Sequence, residues 1–184
     1  MESCPVDETI HFSARLDEIT YGAVWTHKIH EKQADIYELV GKVLSLISIV
    51  TVAASGSGAI ASIVVDGYVL KCVVAALSAV SLFCTLWAKS FRFDKRASSQ
   101  RNAAKRFLEI RELAKGLSLR IVMKRLDADS SLEEIDALVE RYLSACAEAP
   151  STTGLAARMA GRDLSNEREA SWTNRPPSSL FSKR

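Results

Sequence analysis

Few residues of this chain have the type and spacing to do chemistry. His27 and His30 lie one helical turn apart with Glu31 beside them. A closed metal site needs about four ligands, so the pair is read as packing or surface histidines and no metal is expected. Trp25, next to them, is expected to pack in a helix bundle and not to line a ligand cage. Cys4, Cys72, Cys84 and Cys146 show no CxxC or Cys/His spacing and are read as free thiols in a reducing compartment. Ser55-Gly56-Ser57-Gly58 has the composition of a phosphate loop, but it falls in mid-span of an apolar stretch and not at a strand-to-helix turn. Walker, GxGxxG, nucleophile-elbow and HEXXH motifs are absent. The expectation is a chain with no catalytic residue and no cofactor, hence not an enzyme.

The sharper pattern is a stripe of small and hydroxylated residues. Ser45, Ser48, Val52, Ser55, Gly58 or Ala59, and Ser62 recur at three- and four-residue spacing, which places them on one helical face. Ala54, Gly58 and Ser62 make a small-xxx-small series that permits close backbone approach. Ala75, Ser78, Ser81 or Leu82, and Thr85 repeat the pattern more weakly. Two explanations fit. The favoured one is helix packing; the other is a pore wall whose hydroxyls meet water once several copies assemble. Both hold if the face packs at rest and is exposed on activation.

The elements that must position this stripe are two apolar helices. Bulk composition hides them, since the 184 residues are 48% apolar, 25% charged and carry a net charge of +2. Yet no charged residue occurs between Lys42 and Asp66, or between Lys71 and Lys89. As a helix, Val43 to Val65 would run roughly 35 Å, against a hydrocarbon core of about 30 Å. The second run spans if it starts at Tyr68, with Lys71 snorkelling to the interface. Asp66 and Gly67 then make the turn, and Tyr68 and Trp87 suit the aromatic belts. A buried hairpin of a soluble protein is disfavoured on length. Lys89, Arg92, Lys95, Arg96, Arg101, Lys105 and Arg106 follow the second span, and Lys28, Lys32 and Lys42 precede the first. The positive-inside rule therefore sets both termini in the cytoplasm. Lys89, Arg92, Lys95, Arg96 and Arg101 are read as topology determinants that meet anionic lipid headgroups. The weak basic excess gives no reason to expect direct nucleic-acid binding.

Helical periodicity continues outside the spans. Leu16, Ile19, Ala23, Thr26, Ile29, Gln33, Ile36 and Val40 make one stripe. Ala103, Phe107, Ile110, Ala114, Leu117 and Ile121 make another. With no proline from Phe91 to Lys124, the second span is expected to continue unbroken into the cytoplasm. Ser130-x-x-Glu133 and Ser131-x-x-Glu134 read as capping boxes, so a further helix is expected to start near Ser130. The expected division is an N-terminal cytoplasmic helix (1–42), a first transmembrane helix (43–65) and a short non-cytoplasmic turn (66–67). A second transmembrane helix (68–88), cytoplasmic helices (89–149) and a disordered tail (150–184) follow, with one short helix near Leu155 to Leu164. The fold class is an all-α integral membrane protein, a two-transmembrane helical hairpin with long cytoplasmic extensions. Trp25, His30, Phe107, Ile110 and Leu117 are the candidate assembly base.

Val24-Trp25-Thr26-His27-Lys28-Ile29-His30-Glu31-Lys32-Gln33-Ala34-Asp35-Ile36 precedes the paired spans. Phe91-Arg92-Phe93-Asp94-Lys95-Arg96-Ala97 and Gln100-Arg101-Asn102-Ala103-Ala104-Lys105-Arg106-Phe107-Leu108-Glu109-Ile110-Arg111 follow them. In that order, over roughly residues 10 to 150, the chain resembles the SLATT domain family, two-transmembrane effector modules associated with SMODS and SLOG proteins. The resemblance implies a prokaryotic anti-phage effector that forms pores as a homo-oligomer and kills or arrests the infected cell, an abortive infection. It implies a trigger from a nucleotide synthetase, a nucleotide-binding protein or a reverse-transcriptase system. It brings no catalytic residues. The chain carries no recognisable fused sensor, so the trigger would come from a separate protein.

Two function classes remain. In the first, an oligomer in the cell inner membrane permeabilises it, with Ser45, Ser48, Ser55, Gly58, Ser62, Ser78 and Thr85 lining the path or packing the helices. In the second, the spans only anchor a scaffold that recruits a partner through Phe107, Leu117 or the final helix. A proton-coupled transporter subunit is disfavoured, because neither span carries an embedded carboxylate.

Overall fold

The computed structural model describes residues 5–64, 67–123 and 125–166. Five helices account for nearly all of them: α1 (Pro5–Val64), α2 (Tyr68–Phe91), α3 (Phe93–Val122), α4 (Ala128–Glu148) and α5 (Gly154–Asn166). There is no strand among the described residues. Helix is the form a lipid-facing segment must take, because each backbone N–H and C=O in hydrocarbon has to be satisfied within the segment. That requirement outweighs the weak helix propensity of Gly56 and Gly58, about 1 kcal/mol each relative to alanine.

The chain divides into two compact units, residues 34–98 and residues 1–33 with 99–184. In the 34–98 unit, α1 and α2 pack antiparallel: Ser48 meets Ser81 and Thr85, and Gly58 meets Val74. The most apolar 18-residue windows of the two long helical stretches have mean hydropathies of 1.8 and 2.2, with 0% and 11% of their residues buried. A soluble core helix of that hydropathy would be covered by its own protein; these faces need lipid. The chain is a two-span, all-α membrane protein.

The second span does not run on unbroken. α2 stops at Phe91, Arg92 takes a left-handed conformation (φ 48°, ψ 50°), and α3 restarts at Phe93. The Arg92 N–H still donates to Ala88 O at 3.2 Å, while Lys95 and Arg96 N–H donate to Arg92 O. A left-handed non-glycine residue costs about 1–2 kcal/mol. The aromatic pattern accounts for it. Residues i and i+2 of a continuous helix do not face each other, yet the Phe91 and Phe93 rings stack here at 5.8 Å, and Phe93 also meets Tyr37. Aromatic pairs contribute about 0.5–1.5 kcal/mol beyond area burial, which offsets the strain. No proline or glycine marks the break, so helical periodicity alone missed it.

In the other unit α3 lies antiparallel to α1, and α4 antiparallel to α3. The core is Leu16, Ile19 and Ala23 of α1, Phe107, Ile110, Ala114, Leu117 and Ile121 of α3, and Ile135, Leu138 and Ala145 of α4. Tyr142 reaches across to Gly22, where an added Cβ would lie 2.7 Å from its hydroxyl oxygen. Arg120 pairs with Glu134, and Arg106 with Glu148, joining α3 to α4. α4 starts at Ala128, two residues before the expected Ser130. Asp127 occupies the capping position in extended backbone, and the Ser131 hydroxyl donates to Asp127 O at 2.7 Å. Within the expected tail, the short helix expected near Leu155 to Leu164 is α5, Gly154–Asn166, and it is packed against this unit through Ala156 and Ala160, both 0% exposed. Its small-residue face gave too weak an apolar signal to be read as a docked helix. Residues 167–184 of the expected tail, and Asp66 of the expected turn, lie outside the described residues.

Candidate functional site

The hairpin seam is built from hydroxyls and a glycine. Ser48 Oγ lies 2.8 Å from Thr85 Oγ1 and 3.4 Å from Ser81 Oγ, and the Ser81 hydroxyl is 3.4 Å from Ser48 O. Ser81 is buried. Below this level Thr51 donates to Ile47 O, and Ser55 to Val52 O. At Gly58 an added Cβ would sit 2.6 Å from Val74 Cγ2, so the absent side chain is what lets α2 approach. Ser45 and Ser78 are exposed, and the Ser78 hydroxyl turns back to Val74 O. The stripe therefore divides: Ser48, Ser81, Thr85 and Gly58 face the opposite span, while Ser45 and Ser78 face outward. The Ser62 side chain lies outside those described.

Such a seam can do one chemical thing. Hydroxyls in hydrocarbon must find partners, and here they find one another or the carbonyls of their own turn. Hydroxyl bonds between membrane helices contribute only about 0.6 kcal/mol on average. Parting them is inexpensive if water or another helix takes their place.

An aromatic column along α2 was missed apart from Trp87. Phe83, Trp87 and Phe91 follow i, i+4 spacing with ring centroids 5.4 and 4.8 Å apart, and continue through Phe93. The Arg96 guanidinium lies 5.8 Å from the Phe91 ring centre. Lys89, Arg92, Lys95 and Arg96 are all exposed around this column, and Arg101 is half-buried in the other unit. Aromatic rings beside cations are the composition of a membrane–water boundary. The i, i+4 spacing of Phe83, Trp87 and Phe91 was the available signal.

The second polar cluster is in the bundle. His30 is 3% exposed, with Nδ1 on Gln100 Oε1 and its ring stacked 5.6 Å from Phe107. Gln100 Nε2 donates to Ser151 O at 2.9 Å. Gln33, fully buried, accepts at Oε1 from both Thr153 N–H (2.9 Å) and Thr153 hydroxyl (2.8 Å), while its Nε2 has no partner. An orphaned buried donor costs about 1–3 kcal/mol. His27 Nδ1 lies 2.8 Å from Ala104 O and its Nε2 3.6 Å from Glu31. The two histidines thus turn to different partners, and no group of three or more His, Cys, Asp or Glu positioned to hold a metal occurs among the described residues. Burial raises the Asp17 carboxyl above its ordinary range, and Asp17 Oδ2 is an unpartnered buried oxygen. Burial, with Cys146 close by, likewise pushes the Tyr142 phenol up.

Of the expected assembly residues, Phe107, Ile110 and Leu117 are 0%, 5% and 3% exposed. Neither contacts between copies nor recruitment of a partner through the Phe107, Ile110 or Leu117 side chains fits that placement; they are spent on the chain's own core, as is the buried His30 on Gln100 and Phe107. Trp25 packs on α5, its ring 3.3 Å from where a Gly161 Cβ would be.

A family model, the SMODS and SLOG-associating 2TM effector domain family 4, matches residues 12–175. The match reaches past the expected limit near residue 150 and takes in α5. The searches of curated proteins and of solved structures found no match.

Proposed function

Since the chain belongs to the SMODS and SLOG-associating 2TM effector domain family 4, two-transmembrane effectors associated with defence systems, we propose that it permeabilises the inner membrane of a prokaryotic cell when a partner protein triggers it. The working form is a homo-oligomer of hairpins with both termini in the cytoplasm. The trigger is a nucleotide-signalling or reverse-transcriptase partner. Residues 43–65 and 68–88 cross the bilayer, and the helices of 1–42 and 89–149 assemble the copies.

The Ser48–Ser81–Thr85 seam carries this reading. Hydroxyls at mid-hairpin serve the close packing of two membrane helices. The same groups suit a gated path: hydroxyls that close on each other at rest can turn to water in an assembly. The trigger then acts by binding the open assembly better than the closed one.

Replacing both spans by an unrelated two-helix anchor tests the class. Loss of triggered killing at equal membrane abundance is expected. Full killing by the chimera would make the chain a membrane-anchored scaffold instead.

A further inference from the structure

α5 stands apart from the rest of its unit. The main core draws on α1, α3 and α4, with no α5 residue among those described. α5 instead rests on small residues: Ala156 and Ala160 at 0% exposure and Gly161 against the Trp25 ring. Its largest aliphatic side chain near the start, Leu155, points away, 58% exposed. Met159 and Leu164 are half-buried, so no large side chain of α5 is fully covered and limited apolar area, the main source of cohesion, holds it.

What fixes α5 is polar and local. Gln33 takes both donors of Thr153, Gln100 holds Ser151 O, and Lys32 pairs with Asp163. Thr153, Ala156, Ala160 and Asp163 follow helical spacing on one face, opposite a single stretch of α1 from Trp25 to Gln33. The connection from Ala149 (φ −67°, ψ 135°) through Pro150 to Thr153 is extended and non-helical, so α5 can leave without unwinding α4. Docking also leaves Gln33 Nε2 without a partner, a penalty that water relieves once the strap lifts. A docked state with small apolar area and a built-in orphan donor is poised near balance.

We infer that residues 150–166 form a releasable strap over the Trp25–Gln33 face of α1, and that the docked strap holds the protein at rest. The second half of this rests on the effector reading above. Lifting the strap opens His30, Gln33 and Gln100 to solvent while the α1–α3–α4 core stays folded, the kind of sub-global opening that marks switching segments.

Hydrogen exchange on the full chain in lipid nanodiscs, paired with membrane-potential recording in cells, tests both halves. α5 amides are expected to exchange at least about tenfold faster than those of α4. Gly161→Val with Asp163→Lys, which set a branched side chain against Trp25 and a cation against Lys32, should bring α5 to the exchange of an unstructured peptide and leave α3 and α4 protected. Asp163→Lys alone, a change at the rim, should give the same pattern in a smaller step. Equal protection of α5 and α4 in the wild type, or loss of α3 and α4 protection together with α5, overturns the strap. In cells the variants should depolarise the membrane without the trigger. Variants with a lifted strap that need the trigger as the wild type does overturn the resting hold, while leaving the effector reading intact. A wild type silent even with its trigger would overturn the effector reading and the hold that rests on it, but not the strap.

Discussion

Gly58 is the position where one carbon atom tests the seam. A Cβ there would lie 2.6 Å from Val74 Cγ2, whereas carbon atoms settle at about 3.5–4.0 Å. Roughly 1 Å must be found, and Val74 is poorly able to supply it, because a β-branched residue on a helix holds one χ1 rotamer about 90% of the time. The backbones must part. Over-packing of this kind costs about 1–3 kcal/mol, more than the roughly 0.6 kcal/mol average of an interhelical hydroxyl bond such as Ser48–Thr85. At 1.4 kcal/mol per decade, the closely packed arrangement loses about 5- to 150-fold in population. The assembled pore keeps the Gly58–Val74 approach while the Ser48–Ser81–Thr85 level turns to water, so Gly58→Ala should slow triggered depolarisation at least about fivefold, and Gly58→Leu should abolish it. Val74→Ala removes the colliding methyl and should restore Gly58→Ala toward wild-type rate. The assay is a voltage-sensitive dye in cells with matched membrane amounts of each variant. An unimpaired Gly58→Ala, or a double variant as slow as the single, would refute the packing argument.

Arg92→Gly should raise the melting temperature of the protein in nanodiscs, since glycine takes the left-handed break without the side-chain penalty, a gain of about 1 kcal/mol. Arg92→Val should lower it; equal effects of the two would refute the strain. Phe107→Ala should cost the bundle about 3–5 kcal/mol, read as loss of helical signal on heating; a shift within error would show that the site collapses freely. Burial raises the folded-state carboxyl of Asp17, so its contribution to stability is fully present below the ordinary aspartate range and is lost as pH rises through the folded-state value. Asp17→Asn should therefore melt higher than wild type at neutral pH, with the difference vanishing below about pH 4. A lower melting temperature at neutral pH would contradict that sign.

The membrane hairpin was legible in the sequence because uncharged runs of such length have one common explanation, and the bundle faces were legible because Phe107, Ile110, Leu117 and Ile121 repeat at helical spacing. The break at Arg92 was not, since it arises from ring stacking between Phe91 and Phe93 and leaves no proline or glycine as a mark. The docked α5 was not either. Alanine and glycine carry little hydropathy, so a face of Ala156, Ala160 and Gly161 reads as a short helix in a polar tail and gives no sign that its two alanines are covered. Gln33 sat on an apolar stripe as an apparent interruption; a buried glutamine at such a position signals a specific partner, here the backbone N–H and hydroxyl of Thr153. The hydroxyl stripe was visible as a pattern, but which of its members face the opposite span depends on helix rotation, which spacing alone leaves open.

The most direct test of membrane permeabilisation is membrane potential in cells co-expressing the chain with its neighbouring genes and then given the trigger. Rapid depolarisation by the wild type, absent in Gly58→Leu at equal membrane abundance, is the predicted result. An unchanged potential in triggered cells that nonetheless arrest growth would contradict it, and would assign the chain to anchoring a partner.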